Sequence, residues 1–135
     1  MDKLRLLIIE DSTLAQGMYA DSIDPAVFEI KCAGDGKEGL RLYRDWKPDV
    51  ILLDILMPVM TGYSFLKEIR QGLKDKLTAV VVATSLKTKQ DVVECAKLGI
   101  QGYIVKPPPY ETMTEKLLAG YAVLYPEKAK AVRPG

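Results

Sequence analysis

Five short apolar runs punctuate this chain: "LRLLII" at 4–9, "VFEIKC" at 27–32, "VILLD" at 50–54, "TAVVVAT" at 78–84 and "YIVK" at 103–106. They are rich in Val and Ile, and three are apolar almost throughout. Strands buried on both faces read this way, as in a parallel sheet covered by helices. The segments between them carry helical spacing. Residues 12–22 follow a Ser-Thr cap, and residues 36–46 set Gly39, Leu40 and Tyr43 on one side. Residues 62–72 place Phe65, Leu66 and Ile69 together. Residues 88–98 open on a Thr88-x-x-Asp91 capping box and stop at Gly99. Residues 110–124 line up Met113, Leu117, Leu118, Tyr121 and Leu124.

A strand-helix alternation repeated five times needs crossover connections, and these are right-handed. The expected architecture is α/β: a doubly wound five-stranded parallel sheet flanked by five helices. With 135 residues, one domain is expected, over 1–124, and such a length buries a core without staples. The tail, 125–135, is polar with prolines at both ends and reads as frayed or as the start of a linker.

Composition removes several classes of function. The net charge of +1 gives no nucleic-acid footprint. No apolar stretch is long enough to span a membrane, and the first apolar run is too short for a signal peptide and meets two acids. A cytoplasmic location is the default expectation. There is no histidine, and the two cysteines, Cys32 and Cys95, form no CxxC. A zinc site, a Cys/His nucleophile and a disulfide scaffold are therefore excluded as readings, and both cysteines are expected as free, buried thiols.

In such sheets the functional crevice lies beyond the carboxyl ends of the strands. Run one ends in Glu10-Asp11, run three in Asp54, run four in Thr84-Ser85 and run five in Lys106-Pro107. Each alone has an ordinary explanation. Asp54 reads as a turn residue, Glu10-Asp11 as helix caps, Thr84 as a strand residue and Lys106 as a solvated cation. Gathered at one edge, three carboxylates repel one another and stay ionised only around a cation. Oxygen-only ligands favour Mg²⁺. Asp54 is then a candidate nucleophile toward a phosphoryl group, with Lys106 and Thr84 placed to neutralise and hydrogen-bond its oxygens.

The strings "LLIIEDS", "DVILLDILMPVMTGYSFLKEIR", "VVVATS" and "GYIVKP" resemble, in order and spacing, the receiver domains of two-component response regulators. The resemblance covers residues 4–124. It implies a flavodoxin-like sheet in the order 2-1-3-4-5. It implies Asp54 as phosphoacceptor, with Glu10 and Asp11 as the acidic pair that binds Mg²⁺ and the backbone carbonyl of Leu56 completing the metal shell. Glu10 stands where Asp is commoner, which favours a water-mediated contact. Thr84 and Tyr103 match the switch pair and Lys106 the conserved-type lysine, followed by a cis peptide to Pro107. A sensor histidine kinase or phosphotransfer protein is the implied donor. The implied output surface is helix 4, strand 5 and helix 5, with a protein target and no direct nucleic-acid or membrane contact.

Two departures carry consequences. "KPPPY" puts three prolines before the last helix, and Thr112 with Glu115 forms a second capping-box pattern, so that helix is expected to start late. Leu56 and Leu86, two residues beyond Asp54 and Thr84, are apolar where polar groups elsewhere set the rate of phosphoryl loss. Nothing there orients an attacking water, so a long-lived phospho-form is expected. Leu56→Asn with Leu86→Glu should accelerate its decay; an unchanged half-life would refute the idea.

Three other functions were weighed. A receiver cut from a hybrid kinase or multidomain regulator shares all the features above. An Mg²⁺-dependent phosphatase with an Asp nucleophile typically carries a second Asp two residues later, where this chain has Leu56. A nucleotide- or flavin-binding domain needs a Gly-rich loop after strand one, where "IIEDSTLAQG" offers two acids. The expectation is a phosphoacceptor signalling domain rather than an enzyme.

Overall fold

The computed structural model describes residues 3–55, 57, 60–85 and 89–132, the side chains of 89–91 excepted. Leu56 and Leu86 lie outside the described residues, as does Thr88 of the expected capping box. Strands are β1 (Leu4–Ile9), β2 (Phe28–Ala33), β3 (Val50–Asp54), β4 (Ala79–Thr84) and β5 (Gly102–Val105). Helices are α1 (Thr13–Ser22), α2 (Gly36–Trp46), α3 (Gly62–Lys67), α4 (Lys89–Leu98), α5 (Met113–Leu124) and α6 (Pro126–Val132). A π-helical turn, Glu68–Gly72, extends α3, and a 3₁₀ turn, Tyr110–Thr112, precedes α5.

All strand pairs are parallel, in the order β2-β1-β3-β4-β5. Every residue of β3 and β4 is buried. Alternation along each strand divides the core into two layers. Leu6, Ile8, Leu52 and Val81 pack with Tyr19, Leu117 and Tyr121 of α1 and α5. Leu7, Ile9, Ile51 and Val82 pack with Phe65, Leu66 and Cys95 of α3 and α4. Cutting a fully buried leucine of either layer to alanine costs about 2–5 kcal/mol. The strand-helix alternation thus resolves into a sheet with helices on both faces, as expected.

Local chemistry sets the helix starts. Ser12 Oγ accepts from Ala15 N at 3.1 Å, Asp35 Oδ1 from Glu38 N at 2.8 Å and Thr61 Oγ1 from Ser64 N at 3.1 Å. Thr112 behaves differently from expectation. Its hydroxyl donates to Pro109 O at 3.2 Å and makes no cap bond, because the proline-set backbone turns it back on the preceding turn. The late start of α5, at Met113, is observed.

The tail also departs from expectation. Residues 126–132 are helical rather than frayed, which makes six α-helices among the described residues instead of five. Pro126 suits a first helical position. Ala129 and Val132, three residues apart, join the core layer that holds Leu4 and Tyr121. Just before the helix, Tyr125 Oη donates to Leu77 O at 2.7 Å. Neither cysteine is in a disulfide, and Cys95 is buried and Cys32 partly so.

At the amino ends of the strands a polar knot closes the molecule. Arg70, 6% exposed, sits in the π-helical turn. Its Nε donates to Gly99 O at 3.0 Å, Nη1 to Asp75 O at 2.9 Å and Nη2 to Thr78 O and Gln101 Oε1 at 2.9 and 3.0 Å. The Asp75 carboxylate accepts from Leu77 N, Thr78 N, Thr78 Oγ1 and Tyr43 Oη.

Candidate functional site

At the carboxyl ends of the strands, three acids converge. One carboxylate oxygen from each of Glu10, Asp11 and Asp54 lies within 4.8 Å of the others. The sheet order produces this: β1 and β3 are neighbours, with Ile9 paired to Leu53, so residues 10 and 54 follow side by side. Asp54 and Glu10 are buried at 6% and 2% exposure, while Asp11 is exposed. Gly62 closes the turn beneath Asp54. A Cβ there would stand 2.1 Å from Asp54 O, and Gly62 N donates to Ile55 O at 3.0 Å. Only a residue without a side chain permits that approach.

Lys106 follows β5 and reaches across β4 and β3. Its Nζ lies 2.7 Å from Glu10 Oε1 and 3.4 Å from Asp54 Oδ2. The other Glu10 oxygen accepts from Ser12 N at 3.1 Å, and Gln16 Nε2 donates to Glu10 O at 2.6 Å. Burial works against the charges of Glu10 and Lys106, but mutual pairing outweighs it. Lys106 and the Ser12 amide hold Glu10 below the usual carboxylate range. Glu10 and Asp54 hold Lys106 above the usual ammonium range. Hydrogen bonding to Glu10, then burial, pushes the Asp11 carboxyl up.

Thr84, 1% exposed, ends β4 one position beyond the residue paired with Asp54. Tyr103 is not brought to the acids: it is 55% exposed on the edge strand β5. Its pairing with Val82, and that of Val105 with Thr84, set Tyr103 and Thr84 on the same face of the sheet. The Lys106-Pro107 peptide is cis, as the resemblance implies. Sequence reading missed Gln16, which reads as an ordinary exposed helix residue until its side chain is seen on the Glu10 carbonyl. It also missed Tyr19, treated below.

The donor set fits a hard divalent cation. It consists of oxygen alone, and acids crowded within 4.8 Å need positive charge among them. No described helix is long and apolar enough to cross a membrane.

A sequence profile of the response regulator receiver domain matches residues 6–118. The chemotaxis protein CheY of Thermotoga maritima is 34% identical over 104 residues, covering 76% of this chain and 85% of that protein. The regulatory protein AtoC of Escherichia coli is 35% identical over 103 residues, 76% of this chain but only 22% of that protein. A protein-glutamate methylesterase/protein-glutamine glutaminase of Myxococcus xanthus is 33% identical over 98% of this chain and 38% of its own length. Some relatives are thus matched nearly whole and others over less than half their length. Among solved structures, the chemotaxis response regulator CheY4 of Vibrio cholerae superposes with a TM-score of 0.80 at 30% identity, covering 88% of this chain and 99% of that one. With the profile spanning most of its length and the sheet order, acidic cluster and cross-sheet lysine all present, this chain belongs to the response regulator receiver domain family.

Proposed function

We propose that Asp54 is the phosphoacceptor of a signalling switch, with Glu10, Asp11 and Asp54 holding Mg²⁺. The observation that carries this reading is the meeting of three carboxylates, two of them buried, and one ammonium, drawn from three strand ends. An Asp54 oxygen attacks the phosphorus of a phosphohistidine donor. The new O–P bond forms as the N–P bond breaks, and that electron pair stays with the departing imidazole nitrogen, which then takes a proton. Lys106, already within 3.4 Å of Asp54, neutralises charge on the phosphoryl oxygens. The bound Mg²⁺ supplies further charge neutralisation. Leu56, whose carbonyl completes the ligand set in the family reading, lies outside the described residues.

The phosphoryl group would draw Thr84, and Tyr103, on the same face one strand away, would turn inward. The output surface is assigned to α4, β5 and α5, where Val93, Tyr103 and Val105 are exposed apolar side chains at 44%, 55% and 57%. Their partner is a protein that discriminates the two states. If the Tyr103 ring resonances are unmoved by phosphorylation, Tyr103 has no part in the switch.

The central test is incubation with a small phosphodonor and Mg²⁺, read by intact mass. One added phosphoryl group is expected, absent in Asp54→Asn and absent without metal. Addition that survives Asp54→Asn would move the acceptor elsewhere and overturn the reading.

A further inference from the structure

Lys106 begins a segment with unusual anchoring. Its own N–H donates to Thr84 O at 2.8 Å, the last ladder bond of β5. The next three residues, Pro107, Pro108 and Pro109, have no N–H to donate. The amides of Tyr110 and Thr112 then turn inward on the segment itself, to Pro108 O at 3.0 Å and Pro109 O at 2.9 Å. One further backbone bond, from Met113 N–H to Tyr110 O, ties the segment to the start of α5.

Between these ends the segment is held by an aromatic pair. The Tyr110 ring lies 5.5 Å from that of Tyr19, at 54° between planes. Tyr19 is 1% exposed and belongs to the core layer against which Tyr110 packs. It sits on α1, the helix that follows Glu10-Asp11 and whose Gln16 holds the Glu10 carbonyl. Just beyond the far end of α1, Asp24 N donates to Thr114 Oγ1 of α5 at 2.9 Å. One helix therefore steadies both the acids and the aromatic tie of the proline strap. The Tyr19 hydroxyl is buried with no hydrogen-bond partner, so its hold on Tyr110 is ring contact alone.

We infer that the Tyr19–Tyr110 pair is the positioning device for Lys106, clasping the far end of a proline strap whose near end carries the ammonium. The clasp rests on the reading of Lys106 given above, and it adds a requirement that the acid cluster itself does not impose. With the rings apart, 107–112 is held at its two ends, by the Lys106 amide on Thr84 O and by the buried Met113 of α5, and its middle is free to shift. With either tyrosine changed to phenylalanine, the ring contact persists.

Two measurements test it. Hydrogen exchange reads the strap without any phosphorylation: the Lys106 amide should lose protection in Tyr110→Ala while Val82 and Ile104 keep theirs, and Tyr110→Phe should restore it. Unchanged Lys106 protection in Tyr110→Ala overturns the inference. Phosphorylation by a small donor should slow about tenfold in Tyr110→Ala at unchanged Mg²⁺ affinity. It should not slow further when Tyr110→Ala is added to Lys106→Ala; equal slowing in both backgrounds overturns the inference. If Tyr110→Ala does not fold, Pro108→Gly with Pro109→Gly loosens the strap without opening the core, and the same two criteria decide. A wild-type chain that takes no phosphoryl group refutes the phosphoacceptor reading, while the exchange result still judges the clasp.

Discussion

Glu10 shows how a single methylene reshapes a site. The longer acid sends Oε1 to Lys106 and Oε2 to the Ser12 amide, so both oxygens are engaged before any cation arrives. The sequence announced an acid at this place but not its partner, which is 96 residues away and appears only when β1 and β5 are set in one sheet. Tyr19 is the opposite case, a polar atom with nothing to bind. A buried hydroxyl without a partner costs about 1–3 kcal/mol. Tyr19→Phe should therefore raise stability, by about 1 kcal/mol in urea denaturation on that scale. A loss of stability would mean that the hydroxyl finds a partner in solution.

Among the elements, the strands were the most legible, since Val- and Ile-rich runs need cover on both faces. Two starts shifted by one residue, at the apolar flank Val27 and at Thr78, whose amide and hydroxyl are taken by Asp75. The sixth helix was not legible. Its seven residues interleave three charged side chains with small apolar ones, and two buried positions, Ala129 and Val132, are too few to set a period. Arg70 was likewise hidden: "EIRQG" reads as a solvated helix end, yet its guanidinium joins two loops, 73–78 and 99–101. The loop it serves is pH-sensitive. Burial alone would raise the Asp75 pKa, but bonds from Thr78, Tyr43 and the Leu77 amide outweigh it and hold the carboxyl below the ordinary 3.8. The unfolded chain therefore binds this proton first as pH falls. Stability from this group is complete above about pH 4 and drains away as pH drops through the lower folded value. Urea midpoints measured from pH 5 to pH 3 should fall more steeply for the wild type than for Asp75→Asn; parallel slopes would remove Asp75 from the account.

For the molecule as a whole, a cation held by the acid cluster would couple its binding to folding, because the unfolded chain does not assemble Glu10, Asp11 and Asp54. Mg²⁺ at a hundred times its dissociation constant should stabilise the fold by about 2.7 kcal/mol. Thermal unfolding with and without MgCl₂ should show the shift, and Asp11→Asn with Asp54→Asn should abolish it. An equal shift in that variant would place the cation elsewhere. The two ends of the sheet are polar, one built around Asp54 and the other around Arg70, and between them β3 and β4 are dry from end to end. Among the described residues no relay of polar contacts runs down these strands. Under the proposed function, a new charge at the Asp54 rim would then be felt sideways, from strand tip to strand tip toward β5, with the opposite pole left undisturbed.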